Sequence, residues 1–185
     1  FKIIKGTDIE LPCLLAMWLS LSLSEMRGIK ISNIHGDILF INQVIVDVNN
    51  KAIEKNTPKT DARNRALKLP DYILNLIYQQ DSYKNFFNTN KDDYLITMSG
   101  DAIRFRLQRL LKKNNLPVIG MHKLRHLNAS VMLKLNVPDK YAMERGGWST
   151  NSTLKNVYQH TFNDERILID TKIDNFFNDI IKKNE

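Results

Sequence analysis

The sequence predicts a mainly α-helical fold with a small antiparallel β-sheet (α+β), and three observations support this prediction. Two short runs rich in β-branched residues, Ile38–Ile41 and Val44–Val48, lie between turn-forming residues, which is the pattern of neighbouring strands. From Pro70 onward, apolar residues recur at helical spacing through most of the chain. The length of 185 residues fits a single domain, and 43% hydrophobic with 25% charged residues is ordinary for a globular protein.

The first predicted helix begins near the N-terminus. Thr7 and Glu10 have the spacing of a capping box, in which a hydroxyl caps the helix and a carboxylate reaches back. The apolar run after them predicts one helix that continues to about Arg27 and stops at Gly28. Two more short strands are expected at residues 52–55 and 65–69, with a polar hairpin tip between them at 56–61.

The rest of the chain is predicted to be helical, with one interruption. Pro70 suits a first helical position, because the backbone N–H of a residue there has no partner within the helix and proline lacks that N–H. Residues 84–93 are polar and are predicted to form a loop, and residues 94–96 a short buried segment. Further helices are expected at residues 101–113, 121–135, 139–145, 152–158 and 164–182.

Cysteine content and hydropathy exclude several classes of protein. The single cysteine, Cys13, excludes an intramolecular disulfide framework and any zinc site that needs two cysteines. Its apolar neighbours predict a small buried side chain rather than a reactive thiol. No apolar stretch reaches the roughly 18–20 residues of a membrane span, and the start, which lacks an initiator Met, is not a signal peptide. We therefore expect a cytoplasmic protein or a fragment of one, with no membrane partner.

The charge is positive and unevenly distributed. The formal net charge is +7, but residues 99–126 carry seven Lys or Arg against one Asp, and residues 55–68 carry five against one. Residues 163–185 carry six acids against four bases. Two basic segments with a mildly acidic tail favour a polyanionic partner on one side of the molecule.

A histidine and an arginine in the second basic segment have the chemistry of a phosphate site. His122 and Arg125 lie three residues apart, so a helix would place them on one face. An arginine offers planar, always charged, bidentate donors, and a histidine can donate or move a proton. Taken alone, such a pair is more often an ordinary solvated helix face.

The combination with later motifs is more specific. The sequence reads H-x-L-R-H from His122, then G-G-W ending at Trp148, then Y-x-H from Tyr158, and this order resembles the tyrosine recombinase (phage integrase) family. Further similar segments are Leu23-Ser24-Glu25-Met26, Pro58-Lys59-Thr60 and the run from Arg65 to Pro70. The similarity covers about residues 7–162.

The resemblance implies a single domain and its fold. The matched part of the family is the C-terminal catalytic domain, which is expected here over residues 1–185, without the family's N-terminal core-binding domain. The helix at 164–182 is expected either to dock on a neighbouring protomer, as in related recombinases, or to fold back in cis.

The resemblance also implies a mechanism. Tyr158 would attack a DNA phosphate and form a 3′-phosphotyrosyl link, releasing a 5′-hydroxyl. Arg125 would grip the non-bridging phosphate oxygens, and His122 would hydrogen-bond the phosphate or assist proton transfer. Lys59 would be the general acid for the leaving oxygen, and Trp148 could donate its indole N–H. No metal or ATP is implied, because the covalent link stores the bond energy.

Other residues receive supporting roles. Glu25 is expected to support the site from behind, and His126 and His160 to lie near it. Candidate DNA contacts are basic residues of the helix at 101–113, of the H-x-L-R-H motif, of the lysine hairpin and of the first helix. They are Arg104, Arg106, Lys123, Arg63 and Arg27.

One position departs from the family pattern. The family carries an arginine two residues before its Ser-Glu pair, and here that position is Ser22. Ser22 could be engineered, could be natural in a chain that cuts slowly or not at all, or could be compensated by another cation. Arg27 lies about 140° round a helix from Ser22 and is expected to be a surface or DNA-backbone arginine. Arg63 and Arg65 are weaker substitutes.

The implied partners are double-stranded DNA attachment sites, a homotetramer on DNA, and accessory DNA-bending proteins as a further class. A bacterial host cytoplasm is the implied location. Three alternatives to an integrase stay open at this point. They are a non-catalytic DNA-binding protein that kept the fold, which Ser22 favours, a type IB topoisomerase-like relaxase, and a generic basic helical protein.

Overall fold

A computed structural model describes residues 1–48, 51–55, 64–89 and 91–152, together with positions 154, 171 and 175. The helices, numbered in chain order, are α1 (Glu10–Leu19), α2 (Leu23–Gly28), α3 (Asp71–Tyr78), α4 (Asp81–Thr89), α5 (Gly100–Lys113), α6 (Met121–Lys134) and α7 (Asp139–Gly146). The strands are β1 (Ile34–His35), β2 (Ile38–Ile41), β3 (Val44–Val48), β4 (Lys51–Lys55) and β5 (Arg65–Lys68). The α+β prediction is confirmed, with helices predominating.

The strands form two small antiparallel sheets rather than one. One sheet has the order β1-β2-β5, and the other pairs β3 with β4. The prediction that β4 and β5 flank a hairpin tip is therefore wrong, because each pairs with an earlier strand. The reason is burial: β5 alternates buried and exposed residues and pairs Leu67 with the buried Leu39, whereas β4 is exposed along its length.

The predicted first helix is broken in two. Ser20 adopts a left-handed conformation with φ of 59° after α1, and α2 begins three residues later. The end of α1 is fixed by a tertiary contact, since the side-chain amide of Asn128 donates to the carbonyls of Met17 and Trp18. The predicted capping box also fails, because the Thr7 hydroxyl donates to the Ile4 carbonyl and does not cap the helix.

The segment predicted as a polar loop at 84–93 is mostly helix α4. Its polarity is that of a surface helix, and its aromatic residues supply one apolar side. Tyr83 and Phe86 pack against the core, whereas Phe87 is exposed. The buried segment that follows is confirmed, since Leu95 and Ile96 are buried and the Leu95 N–H donates to the Ile29 carbonyl.

Helix α1 forms the centre of the main core. It is buried along most of its length and packs most extensively against α6. Cys13 is fully buried in it, as predicted, and burial raises the pKa of the Cys13 thiol to about 12. The core thus fixes α6, which carries the H-x-L-R-H motif. Within the described ranges, no helix is both long and apolar enough to cross a membrane.

Candidate active site

A buried carboxylate organises the site. Glu25, in α2, is completely shielded from solvent, and its two oxygens face different arginines. Its Oε1 lies 2.9 Å from Nη1 of Arg65, on β5, and its Oε2 lies 3.2 Å from Nη1 of Arg125, on α6. Three elements that are distant in the sequence therefore meet at one side chain. The group of two guanidinium ions and one carboxylate has a formal charge of +1.

Ser22 belongs to the same group, but as a helix cap. Its backbone N–H and its hydroxyl both donate to Oε2 of Glu25, at 2.7 and 2.8 Å, and its hydroxyl accepts from the Glu25 N–H. This reciprocal arrangement is a capping box, and it fixes the start of α2. The position that the resemblance matches to an arginine is thus occupied by a residue that orients Glu25 and adds no charge.

Arg125 is almost completely buried, and several contacts hold its guanidinium in place. Its Nη1 contacts Glu25, and its Nη2 donates to the Gly146 carbonyl at 2.6 Å. Its guanidinium also lies 5.4 Å from the centre of the Trp148 ring. The predicted association of Arg125, Glu25 and Trp148 is present in the structure. A guanidinium held by several contacts is a preorganised donor for a phosphate.

The G-G-W segment can approach both arginines only because two residues lack side chains. A Cβ on Gly146 would lie 2.6 Å from the Trp148 ring. Gly147 ends α7 in a left-handed conformation with φ of 64°, and a Cβ there would lie 2.4 Å from Nη1 of Arg65. Arg65 also donates from Nε to the Arg145 carbonyl at 3.0 Å. The end of α7 is therefore packed directly against the arginine group.

The charge environment of Glu25 is reflected in its pKa. Burial alone would raise the pKa of Glu25, but the positive charge and hydrogen bond of Arg65 and the charge of Arg125, with the Ser22 N–H, lower it below 4.5. The folded state thus binds the proton less readily than the unfolded chain does. This carboxylate contributes stability above about pH 4.5, and the contribution is lost as pH falls through the folded-state pKa.

We therefore expect the urea concentration at the midpoint of unfolding to be lower at about pH 3 than at about pH 6. A Glu25→Gln variant should be less stable at the higher pH and should lose less stability on acidification, because it has no carboxylate to protonate there. Equal acid sensitivity of the two proteins would contradict this assignment.

The two histidines of the motif contact each other. The rings of His122 and His126 lie 4.3 Å apart between centres and are nearly perpendicular. Burial, followed by the charges of His122, Lys123 and Arg125, lowers the pKa of His126, which favours its neutral form. Nδ1 of His126 is buried without a hydrogen-bond partner in the part of the chain that the structure describes. His122 is exposed at the surface, where it is open to a ligand.

The candidate DNA-contacting arginines are in different environments. The expectation that Arg27 is a surface arginine is wrong: it is buried, and its Nη1 lies 2.7 Å from Oδ2 of Asp47. A carboxylate on the neighbouring β3 strand, which a helix projection could not reveal, holds it inside. Arg104, on α5, is half exposed and pairs with Asp101.

Arg106, two residues further along α5, is directed elsewhere and forms an ion pair with Asp8. Lys123 is exposed beside His122. Arg104 and Lys123 are therefore exposed at the surface of the protein, and Arg106 is partly exposed. Four further predicted site residues lie outside the described residues: Lys59, Arg63, Tyr158 and His160.

Arg65 is the site residue that sequence reasoning undervalued. The sequence predicts it only as a weak substitute for the missing arginine, whereas the structure makes it the partner of Glu25. A local signal existed: Arg65 lies two residues before Leu67 on the same strand, so the alternation places both on the buried face. An arginine at such a position needs a buried acid, and Glu25 is that acid.

The model of the phage integrase family matches residues 10–165. An integrase from Saccharopolyspora erythraea is 28% identical over 131 residues, which is 64% of this chain and 30% of that protein. This chain therefore spans less than a third of the length of that relative.

Solved structures of similar fold include three recombinases. The integrase of transposon Tn1549, solved with transposon right-end DNA, has a TM-score of 0.69 at 17% identity, covering 92% of this chain and 62% of that one. XerA recombinase has a TM-score of 0.59 at 14% identity, covering 89% and 59%. Lambda integrase, solved as a dimer on a core site, has a TM-score of 0.55 at 16% identity, covering 84% and 54%. The fold is that of tyrosine recombinase catalytic domains, and because the family model covers most of the sequence, this chain belongs to the phage integrase family.

Proposed function

We propose that this chain is the catalytic domain of a site-specific DNA recombinase that cuts and rejoins DNA through a 3′-phosphotyrosyl intermediate. The observation that carries the proposal is the nearly buried guanidinium of Arg125, fixed by Glu25 and the Gly146 carbonyl, one helical turn from the exposed His122. A rigid, permanently charged bidentate donor beside a proton-carrying ring suits a phosphodiester whose charge changes during reaction. The DNA-bound state of the Tn1549 and lambda integrases supports the same partner for this chain.

The reaction assigns one role to each group. The Tyr158 oxygen attacks phosphorus, the bond from phosphorus to the 5′-oxygen breaks, and Lys59 supplies the proton that the leaving oxygen takes up. Arg125 stabilises the charge on the non-bridging oxygens, while His122 hydrogen-bonds one of them or accepts the phenol proton. Trp148 can add an indole N–H donor. Attack by a 5′-hydroxyl on the phosphotyrosine reverses these steps and rejoins the DNA.

The assembly and location follow as parts of the proposal. Recombination exchanges strands between two duplexes, so four protomers on DNA attachment sites are required, with accessory DNA-bending proteins as further partners. The site of action is the cytoplasm of a bacterial host. The helix at 164–182 is proposed to contact a neighbouring protomer or to return to its own domain. Apart from positions 171 and 175, which are helical, this segment lies outside the described residues.

A second candidate function has a specific observation in its favour. Ser22 uses its N–H and its hydroxyl on Glu25, so the position of the family's arginine supplies no cation. Losing one donor of this kind costs on the order of 10²–10³ in rate in other enzymes. A non-catalytic DNA-binding protein that kept the fold is the function that this observation favours.

One experiment separates the two functions. The protein is incubated with a nicked suicide duplex that carries the end of its mobile element, and the products are separated on a denaturing gel. A recombinase forms a covalent protein–DNA adduct that disappears in Tyr158→Phe and persists in the matched Tyr78→Phe, whose ring lies on α3. Binding of the duplex without adduct, in this protein and in Ser22→Arg, would establish the binding function instead.

A further inference from the structure

One cleft contains the position of the missing arginine, the motif histidine and two other arginines. It has a volume of about 510 Å³ and lies between the start of α2, strand β3, the first turn of α5 and the start of α6. The side chains that matter here are Ser22, Arg27, Asp47, Arg104 and His122. If DNA is cut as proposed, any cation that replaces the family's arginine at the scissile phosphate must reach this cleft.

Two of these residues cannot supply that cation. Ser22 is neutral, and its donors are used on Glu25. Arg27 is charged, but its side chain is only 8% exposed, and Asp47 neutralises it at 2.7 Å. Separating that pair would leave a buried arginine or a partly buried aspartate without its partner, which is costly.

Arg104 has the properties that Arg27 lacks. Its side chain is 50% exposed, and its partner Asp101 is 68% exposed and lies on the same helix, three residues earlier. A solvent-exposed pair of this kind contributes little to stability, so a phosphodiester can replace the carboxylate. A hydrogen bond from a guanidinium to a phosphate is among the stronger protein hydrogen bonds.

The backbone of Arg104 is also well placed. Ser99 caps α5, its hydroxyl accepting from the Ala102 N–H, and Ile103 and Leu107 anchor the helix in the core. The Cα of Arg104 is therefore fixed at the edge of the cleft that His122 also lines. Both polar contacts given for its side chain are within its own helix, one from Nη2 to Asp101 and one from Nε to the Gly100 carbonyl at 3.3 Å. Neither contact ties the Arg104 guanidinium to another element of the fold, so a ligand in the cleft competes only with contacts inside α5.

Arg65 is excluded by its position. It touches Glu25 through the other carboxylate oxygen, and it lines two cavities in which neither Ser22 nor His122 takes part. Its guanidinium therefore holds Glu25 and does not line the cleft that contains Ser22 and His122.

We propose that Arg104 supplies the second guanidinium that binds the scissile phosphate, and so replaces the arginine that other family members carry at the position of Ser22. This inference rests on the proposed recombinase function and names a further catalytic residue for it. Arg104 contributes from α5 the charge that other members of the family carry at the start of α2. The leaving and attacking groups are unchanged.

The test measures single-turnover adduct formation on the suicide duplex at saturating protein. Arg104→Ala should form adduct about 10²–10³-fold more slowly, and Arg104→Lys should recover part of the loss. Arg109→Ala, on the same helix but about 140° further round, is the matched control and should remain close to the starting rate. Thermal unfolding of each variant checks that α5 is intact.

A rescue experiment makes the assignment specific. Ser22→Arg restores a cation at the family position, so the double variant Ser22→Arg/Arg104→Ala should regain most of the lost rate. The proposal is overturned if Arg104→Ala reacts like Arg109→Ala, or if the double variant stays as slow as Arg104→Ala while Ser22→Arg alone is active. If no protein, Ser22→Arg included, forms a Tyr158-dependent adduct, the proposed function itself fails and this inference with it.

Discussion

Replacing Arg65 with alanine is expected to lower the free energy of unfolding by about 3–5 kcal/mol. Glu25 is completely buried, and Arg65 is the cation on its Oε1. Without that guanidinium, the negative charge of Glu25 keeps Arg125 as a partner but loses one of its two cations, in a region closed to water. The Arg145 carbonyl loses its Arg65 donor as well. Urea unfolding at neutral pH measures the effect.

Two controls separate this effect from the general loss of a basic residue. Lys68→Ala, on the same strand, removes an exposed ion pair with Asp37 and should change stability by less than about 1 kcal/mol. Combining Arg65→Ala with Glu25→Gln should cost less than the sum of the single changes, because the unpaired charge is gone. Additive losses would show that the two residues are not coupled.

Arg125→Lys is expected to reduce the rate of adduct formation by about 10²–10³-fold while leaving DNA binding far less affected. The guanidinium of Arg125 spans Glu25 and the Gly146 carbonyl through two different nitrogens. A lysine keeps the charge but has a single nitrogen, so it cannot hold both contacts and also present a planar pair of donors to a phosphate.

The measurement compares single-turnover rates at saturating protein with affinities from a binding titration. A lysine that restored the full rate would mean that charge alone is sufficient and that the fork geometry has no role. Lys123→Arg, at the exposed neighbouring position, is a charge-preserving comparison that leaves the buried group unchanged.

Local sequence signals were sufficient where structure is local. Strands β2 and β3 and helices α5, α6 and α7 were predicted within about one residue at each end, because periodicity and end signals lie within each element. Local signals were insufficient where a residue distant in the sequence fixes the end of a helix or the pairing of a strand. The break after α1 depends on Asn128, more than 100 residues away, and the pairing of β5 with β2 depends on a shared core.

The site shows the same division. Short motifs identified Glu25, Arg125 and Trp148 as a group, and the structure brings them together. The partner of Glu25 on β5 and the partner of Arg27 on β3 could not be read from spacing, since each pair joins elements across the fold. Buried charges are paired by tertiary contacts, and a helix projection of one segment cannot show them.

Ser22 also implies a trade-off between stability and activity. As the cap of α2 it contributes about 0.5–2 kcal/mol of the kind that an arginine at the same place cannot provide. A Ser22→Arg variant should therefore gain a cation at the start of α2 and lose part of the stability of that helix end. At this position the same residue cannot both cap the helix and bring a positive charge, so the cation and the helix end compete for one place in the sequence.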